Sequence, residues 1–174
     1  MTAGWTPNLS WVVHDLAVGG AFPAGRAVDL AARHGVGAVI DVRAESCDDA
    51  AELEACGLRF LHLPTLDHHA VAQPMLDDGV AFAAEARAAG RKLLVHCEHG
   101  IGRSALVALC VLVSRGLGPL EALARAKDAR ALVSPSPAQY QAWVEWMQRC
   151  APEVRPPTFD AFKAIAYRHL PQRA

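Results

Sequence analysis

The sequence contains no Cys-x-x-Cys pair, and its five cysteines (Cys47, Cys56, Cys97, Cys110 and Cys150) are odd in number. A zinc cage and a complete disulfide framework are therefore both disfavoured, and a reduced, cytoplasmic setting is expected. Long apolar stretches are absent too. The longest run, residues 105–113, is about half of what a membrane-spanning helix needs, so no stable membrane insertion is expected. The opening M-T-A-G-W-T-P-N-L-S lacks the basic and apolar segments of a secretory signal. The net charge is only −1, which leaves no whole-molecule field to draw the chain to nucleic acid. There is no repeat of fixed period and no low-complexity tract.

What is present reads as a folded enzyme-sized unit. The chain has 174 residues, 52% of them apolar and 20% charged, enough to bury a core. Short apolar runs bounded by Gly or Pro read as strands: Leu16 to Val18, Ala38 to Val42, Arg59 to Leu63 and Leu93 to His96. Between them lie helical patterns over 26–34, over 48–55 behind a possible capping box in Ser46-Cys-Asp-Asp49, and over 75–89, which stops at Gly90. After residue 103 everything reads as helix. Ser104 to Arg115 is apolar nearly all round and should be central and buried. Further helices start at Pro119 and at Ser136-Pro137, and a Pro-rich joint (Pro152, Pro156, Pro157) leads to a last one over roughly 158–169. The pattern predicts an α/β domain: a small central mixed sheet flanked by helices, with a helical C-terminal half.

Residues 95–105, V-H-C-E-H-G-I-G-R-S-A, carry the chemistry. A strand that turns directly into a helix leaves backbone N–H groups without intrahelical partners. Gly100 and Gly102 let the loop curl, so that the amides of Glu98, His99, Gly100, Ile101, Gly102 and Arg103 converge on one anion. The helix N-terminus adds partial positive charge, and the Arg103 fork can grip two phosphate oxygens. The same donors would stabilise a Cys97 thiolate at the base of the cradle, placed to attack phosphorus opposite the leaving group. Ser104 can donate to the sulfur, and His96 can tie the loop backbone down. No metal-ligand cluster and no cofactor motif is visible, so a reaction needing neither is expected.

The motif resembles the H-C-x-x-G-x-x-R-S/T signature of the cysteine-dependent protein tyrosine phosphatase superfamily, in its dual-specificity branch. L-A-V-G-G-A-F resembles that branch's first strand, V-I-D-V-R-A-E the following strand and loop, and L-P-T-L-D-H-H the segment bearing the general acid. The resemblance covers about residues 11–150, which suggests a catalytic domain over 1–150 and a C-terminal helical extension over 151–174. It implies a phosphatase-type fold and metal-independent hydrolysis of phosphate monoesters through a phosphocysteine intermediate. The substrate would be protein phosphotyrosine, with phosphoserine and phosphothreonine also admitted.

A leaving ester oxygen needs a proton, and the resemblance implies that Asp67 supplies it, with Cys97, Arg103 and Ser104 completing the catalytic set. Asp77 and Asp78 sit at a helix start and are the alternatives. Asp41 reads as a ligand for loop amides, and Gln139 as an exposed first-turn residue, although it resembles a glutamine that orients water in some relatives. Three other functions stay open: a phosphatase for lipid or other small phosphate esters, a rhodanese-like sulfurtransferase, and a phospho-binding module without turnover. The expected partner is a phosphoprotein or small phosphate ester. The sequence does not set an oligomeric state.

Overall fold

A computed structural model describes residues 4–171 of the chain. Period-two alternation decides how its sheet is covered. Leu16, Val18, Ile40, Val42, Leu93 and Val95 face a large core built with the C-terminal helices. The residues between them, Ala17, Val39 and Leu94, face a smaller core with Ala27, Leu30 and Leu53. Both faces are thus dry, and the central strands read as nearly continuous apolar runs, as parallel strands do.

Five strands form the sheet: β1 (Leu9–Val13), β2 (Leu16–Gly19), β3 (Val36–Arg43), β4 (Arg59–Thr65) and β5 (Lys92–His96). Their order is β1-β2-β5-β3-β4, with β1 antiparallel to β2 and the other pairings parallel. The sheet is therefore mixed, as expected. Strand β1 is an addition to the sequence reading. It is a half-buried edge strand joined to β2 through His14-Asp15.

Helices α1 (Ala27–His34), α2 (Ala50–Ala55) and α3 (Gln73–Ala88) alternate with the strands. Four more follow the sheet: α4 (Arg103–Ser114), α5 (Pro119–Ala129), α6 (Pro137–Cys150) and α7 (Phe159–Ala166). One cap differs from expectation. Helix α2 is capped by Asp49, which accepts from the N–H groups of Ala51 and Glu52, rather than by Ser46. Asp48 is instead held by Asp41 and Arg43, so the helix begins only after Asp49. Helix α6 has the full capping box: Ser136 accepts from Gln139 N–H, and the Gln139 side chain accepts from Ser136 N–H.

Helix α4 is buried from Arg103 to Val113 and is packed by α3, α5 and α6. It springs from the end of β5, the middle strand of the sheet. The β5–α4 loop is therefore held between a buried strand and a buried helix. Residues 151–171 fold back, and α7 lies on α5 with Phe162 and Ala166 fully buried.

Candidate active site

The Cys97 side chain is buried, and its sulfur lies 3.3 Å from Ser104 Oγ. Burial pushes its thiol pKa up. The Ser104 hydroxyl and the backbone N–H groups of Ser104, Gly100 and Ile101 pull it down further, and the net direction is down. The loop is stabilised for a thiolate. Gly100 makes the curl possible with φ 69°, and a Cβ there would stand 2.6 Å from the Gly19 carbonyl.

Arg103 is almost fully buried at the start of α4. Its two terminal nitrogens donate to the two Glu45 oxygens at 2.7 Å each, and Nη1 also donates to the Thr65 carbonyl at 2.8 Å. Asp67 Oδ1 is 3.4 Å from Nη2. The Nε nitrogen is buried with no hydrogen-bond partner. Asp67 is half exposed on the loop after β4, and its Oδ1 accepts from His68 N–H.

A cavity of about 330 Å³ opens above this group, lined by Asp67, His68, Cys97, His99, Ile101, Gly102, Ser134, Ser136 and Gln139. The structure thus brings Cys97, Ser104, Arg103 and Asp67 together, with His99, Ile101 and Gly102 forming the loop wall. Glu98 contributes differently: its carboxylate turns to Arg43 Nη1 at 3.2 Å, and its carbonyl accepts from Ala21 N–H. Asp77 is remote from the cavity and paired with Arg149.

Several residues at the site carry no local mark in the sequence. Glu45 is one. Arg130 is another, donating through Nε to the Gly100 carbonyl at 2.8 Å and through Nη2 to the His99 carbonyl at 2.7 Å. Gln139 is buried rather than exposed: Nε2 donates to the His69 carbonyl at 3.1 Å while Oε1 completes the α6 capping box. The sign of a cavity-side role was the Ser-Pro cap itself, which fixes this glutamine in the first turn.

Beneath the loop lies a buried ionic network. Asp41 accepts from Arg43 Nε and Nη2 and from Asp48 N–H, all at 3.0 Å. His96 Nε2 meets Asp48 Oδ2 at 2.6 Å, and Nδ1 meets the Cys97 carbonyl at 3.2 Å. His96 therefore ties the loop backbone to the sheet. Burial raises the Asp41 pKa, but the Arg43 bonds outweigh it and keep the carboxyl below its ordinary value. Asp41, Asp48 and His96 bring one potential metal-ligating atom each within 4.8 Å of the others. The Arg43 guanidinium already engages both carboxylates, so these groups pair with each other rather than form an open metal cage.

Comparisons with known proteins agree with this geometry. The family model described as "Dual specificity phosphatase, catalytic domain" matches residues 20–149. Dual specificity protein phosphatase Mpk3 of Drosophila melanogaster is 35% identical over 85 residues, 48% of this chain and 21% of that protein. Mouse dual specificity protein phosphatase 12 is 40% identical over 81 residues, 45% of this chain and 23% of that protein. The chain thus spans about a fifth of the length of these relatives. Among solved structures, Tk-PTP in its active form is 26% identical at a TM-score of 0.74, covering 82% of this chain and 98% of that one. Human DUSP28 is 26% identical at 0.71, covering 84% and 97%. PTPMT1 in complex with PI(5)P has a TM-score of 0.77 at 24% identity, covering 84% and 98%, and shares the fold. Among the described residues no helix is long and apolar enough to cross a membrane.

Proposed function

This chain belongs to the dual specificity phosphatase family, and from that membership we propose that it hydrolyses phosphate monoesters through a phosphocysteine intermediate without a metal. The Cys97 thiolate attacks phosphorus, and the P–O bond to the leaving group breaks. Asp67 gives the departing oxygen its proton. Water then attacks the phosphocysteine, Asp67 takes up the water's proton, and the sulfur leaves as a thiolate received by the Ser104 hydroxyl. Arg103 and the loop amides hold the phosphoryl oxygens in both steps. Gln139, in the cavity wall, is a candidate for orienting that water.

The observation that carries this reading is the buried Arg103 Nε, a charged donor left without a partner beside Cys97 while Glu45 holds the other end of the fork. A buried charged donor in that position is free to meet a phosphoryl oxygen. The family match favours phosphatase over the sulfurtransferase alternative. Among substrates, phosphotyrosine with phosphoserine and phosphothreonine as further candidates is the preferred class. Besides Arg103 beneath it, no Lys or Arg among the described residues lines the cavity, so a single phosphate suits it better than a polyphosphorylated headgroup. A reduced compartment suits the five free thiols, and a cytoplasmic location is proposed with it.

Cys97→Ser should abolish turnover of an aryl phosphate and still bind vanadate or phosphate, because the amides and Arg103 remain. Residual turnover above a few per cent would remove the thiolate mechanism. Asp67→Asn should slow an alkyl phosphate far more than an aryl phosphate with an acidic phenol, since only the first needs a proton in the transition state. Equal slowing of both would move the acid elsewhere. Parallel assays on phosphopeptides and phosphoinositides decide between protein and lipid substrates.

A further inference from the structure

The segment 130–139 touches the site from two sides. Arg130 holds the Gly100 and His99 carbonyls, and Ser134 N–H donates to the Ile101 carbonyl at 3.0 Å. With those carbonyls anchored outward, the amides of the catalytic loop are left to face the sulfur. Toward the acid loop, Ser136 Oγ donates to the His68 carbonyl at 3.0 Å and Gln139 Nε2 to the His69 carbonyl. One short segment therefore braces both the nucleophile loop and the loop that carries Asp67.

What fixes the brace is the C-terminal extension. Lys127 is buried, and its ammonium has three acceptors: the Val133 carbonyl at 2.7 Å, the Ala166 carbonyl at 2.7 Å and His169 Nδ1 at 2.6 Å. That matches the three donors of the group and joins the brace to α7. Tyr167 OH donates to the Pro135 carbonyl at 2.7 Å, and Tyr140 OH to the Pro157 carbonyl at 2.7 Å. Phe162, fully buried, packs against Tyr140, Trp143 and Tyr167. The family match covers residues 20–149, so the α7 side of this clamp, from Pro157 to His169, lies outside the part of the chain that the family describes, while Lys127, Val133, Pro135 and Tyr140 lie within it.

We propose that residues 151–170 are a working part of the catalytic site, with Lys127 and Tyr167 as positioning residues: they hold Val133 and Pro135 and thereby set the segment that braces the catalytic loop and the Asp67 loop. The proposal rests on the phosphatase reading for its kinetic consequences, but not for its geometric ones. Loosening the brace changes how the loop amides meet the Cys97 sulfur, whether or not a substrate is present.

The test uses the full chain with Tyr167→Phe, which removes one hydroxyl and keeps the ring, and with Lys127→Met as the stronger variant. Peptide-level mass spectrometry follows the rate of iodoacetamide labelling at Cys97 against pH, and kcat and KM are measured on an aryl phosphate. Tyr167→Phe should keep its thermal midpoint within about 4 °C, as loss of one hydrogen bond implies. Its Cys97 labelling profile should move to higher pH, and kcat should fall by about three- to tenfold with KM little changed, as for a misplaced catalytic group. Lys127→Met should move both readouts in the same direction and further. Unchanged labelling and unchanged kcat in folded Tyr167→Phe would overturn the proposal, also where Lys127→Met fails to fold. A wild type inert toward phosphate esters would remove the phosphatase reading alone, and the labelling profiles would still decide the role of the extension.

Discussion

Glu45 fixes the plane of Arg103 before any substrate arrives, since both of its oxygens are used on the two terminal nitrogens. The bonds to Arg103 hold its carboxyl down to about 2, outweighing the smaller opposing effect of burial. The sign of the stability effect follows. An unfolded Glu45 takes up its proton near 4.5, whereas the folded one keeps its charge until about 2. Its contribution is complete above the unfolded value and disappears as pH falls from about 4.5 to about 2. Thermal midpoints of Glu45→Gln should therefore fall less steeply than wild type across that window, and its kcat/KM at neutral pH should drop by about tenfold or more. Parallel acid limbs and full activity would mean that Glu45 only decorates the surface. Cys97, Arg103 and Ser104 were legible because one contiguous loop spells them. Glu45 was not, because its partner lies 58 residues away and a loop glutamate after a strand looks like any solvated carboxylate. Cys47 shows why a thiol alone says little: burial and the charges of Asp41 and Asp48 push its pKa up, opposite to Cys97.

At the scale of elements, the strand–loop–helix unit β5–α4 depends on one backbone geometry. Gly100 has a positive φ, and its α-carbon lies where a methyl group would run into Gly19 at 2.6 Å and Arg130 Nη2 at 2.8 Å. Gly100→Ala should cost about 1–2 kcal/mol for the left-handed backbone alone, with the clash added. Because Gly19 belongs to β2 and cannot retreat, the loop must move instead. Activity should then fall by more than the stability loss explains, read as lower kcat/KM well below the thermal midpoint. A fully active Gly100→Ala would mean the loop tolerates another path. The element boundaries themselves were readable wherever chemistry marks them. Gly90 follows α3, and Ser136-Pro137 opens α6 with its capping box. They were misread where tertiary pairing takes the marker residues away, as Asp41 and Arg43 do with Asp48 ahead of α2.

For the whole molecule, the sheet was legible in part. The parallel strands were legible as short continuous apolar runs, whereas β1 escaped because a five-residue, half-buried edge strand carries too little pattern. The order of strands was not written in any local run; it arises from which apolar faces can be closed together. That order has a consequence for how the protein is made. Strand β5 lies between β2 and β3, with Leu94 beside Ala17 on one side and Val39 on the other. Its neighbours lie far from it in sequence, so pairing of β5 waits on the closure of long loops rather than on local helix formation. On the ribosome, β2 and β3 emerge long before the strand that must slot between them. The cradle for the thiolate has no separate existence in a half-made chain. A nascent or partly unfolded copy should present Cys97 as an ordinary thiol, since the loop amides and Ser104 that lower its pKa meet the sulfur only once the sheet and α4 are in place.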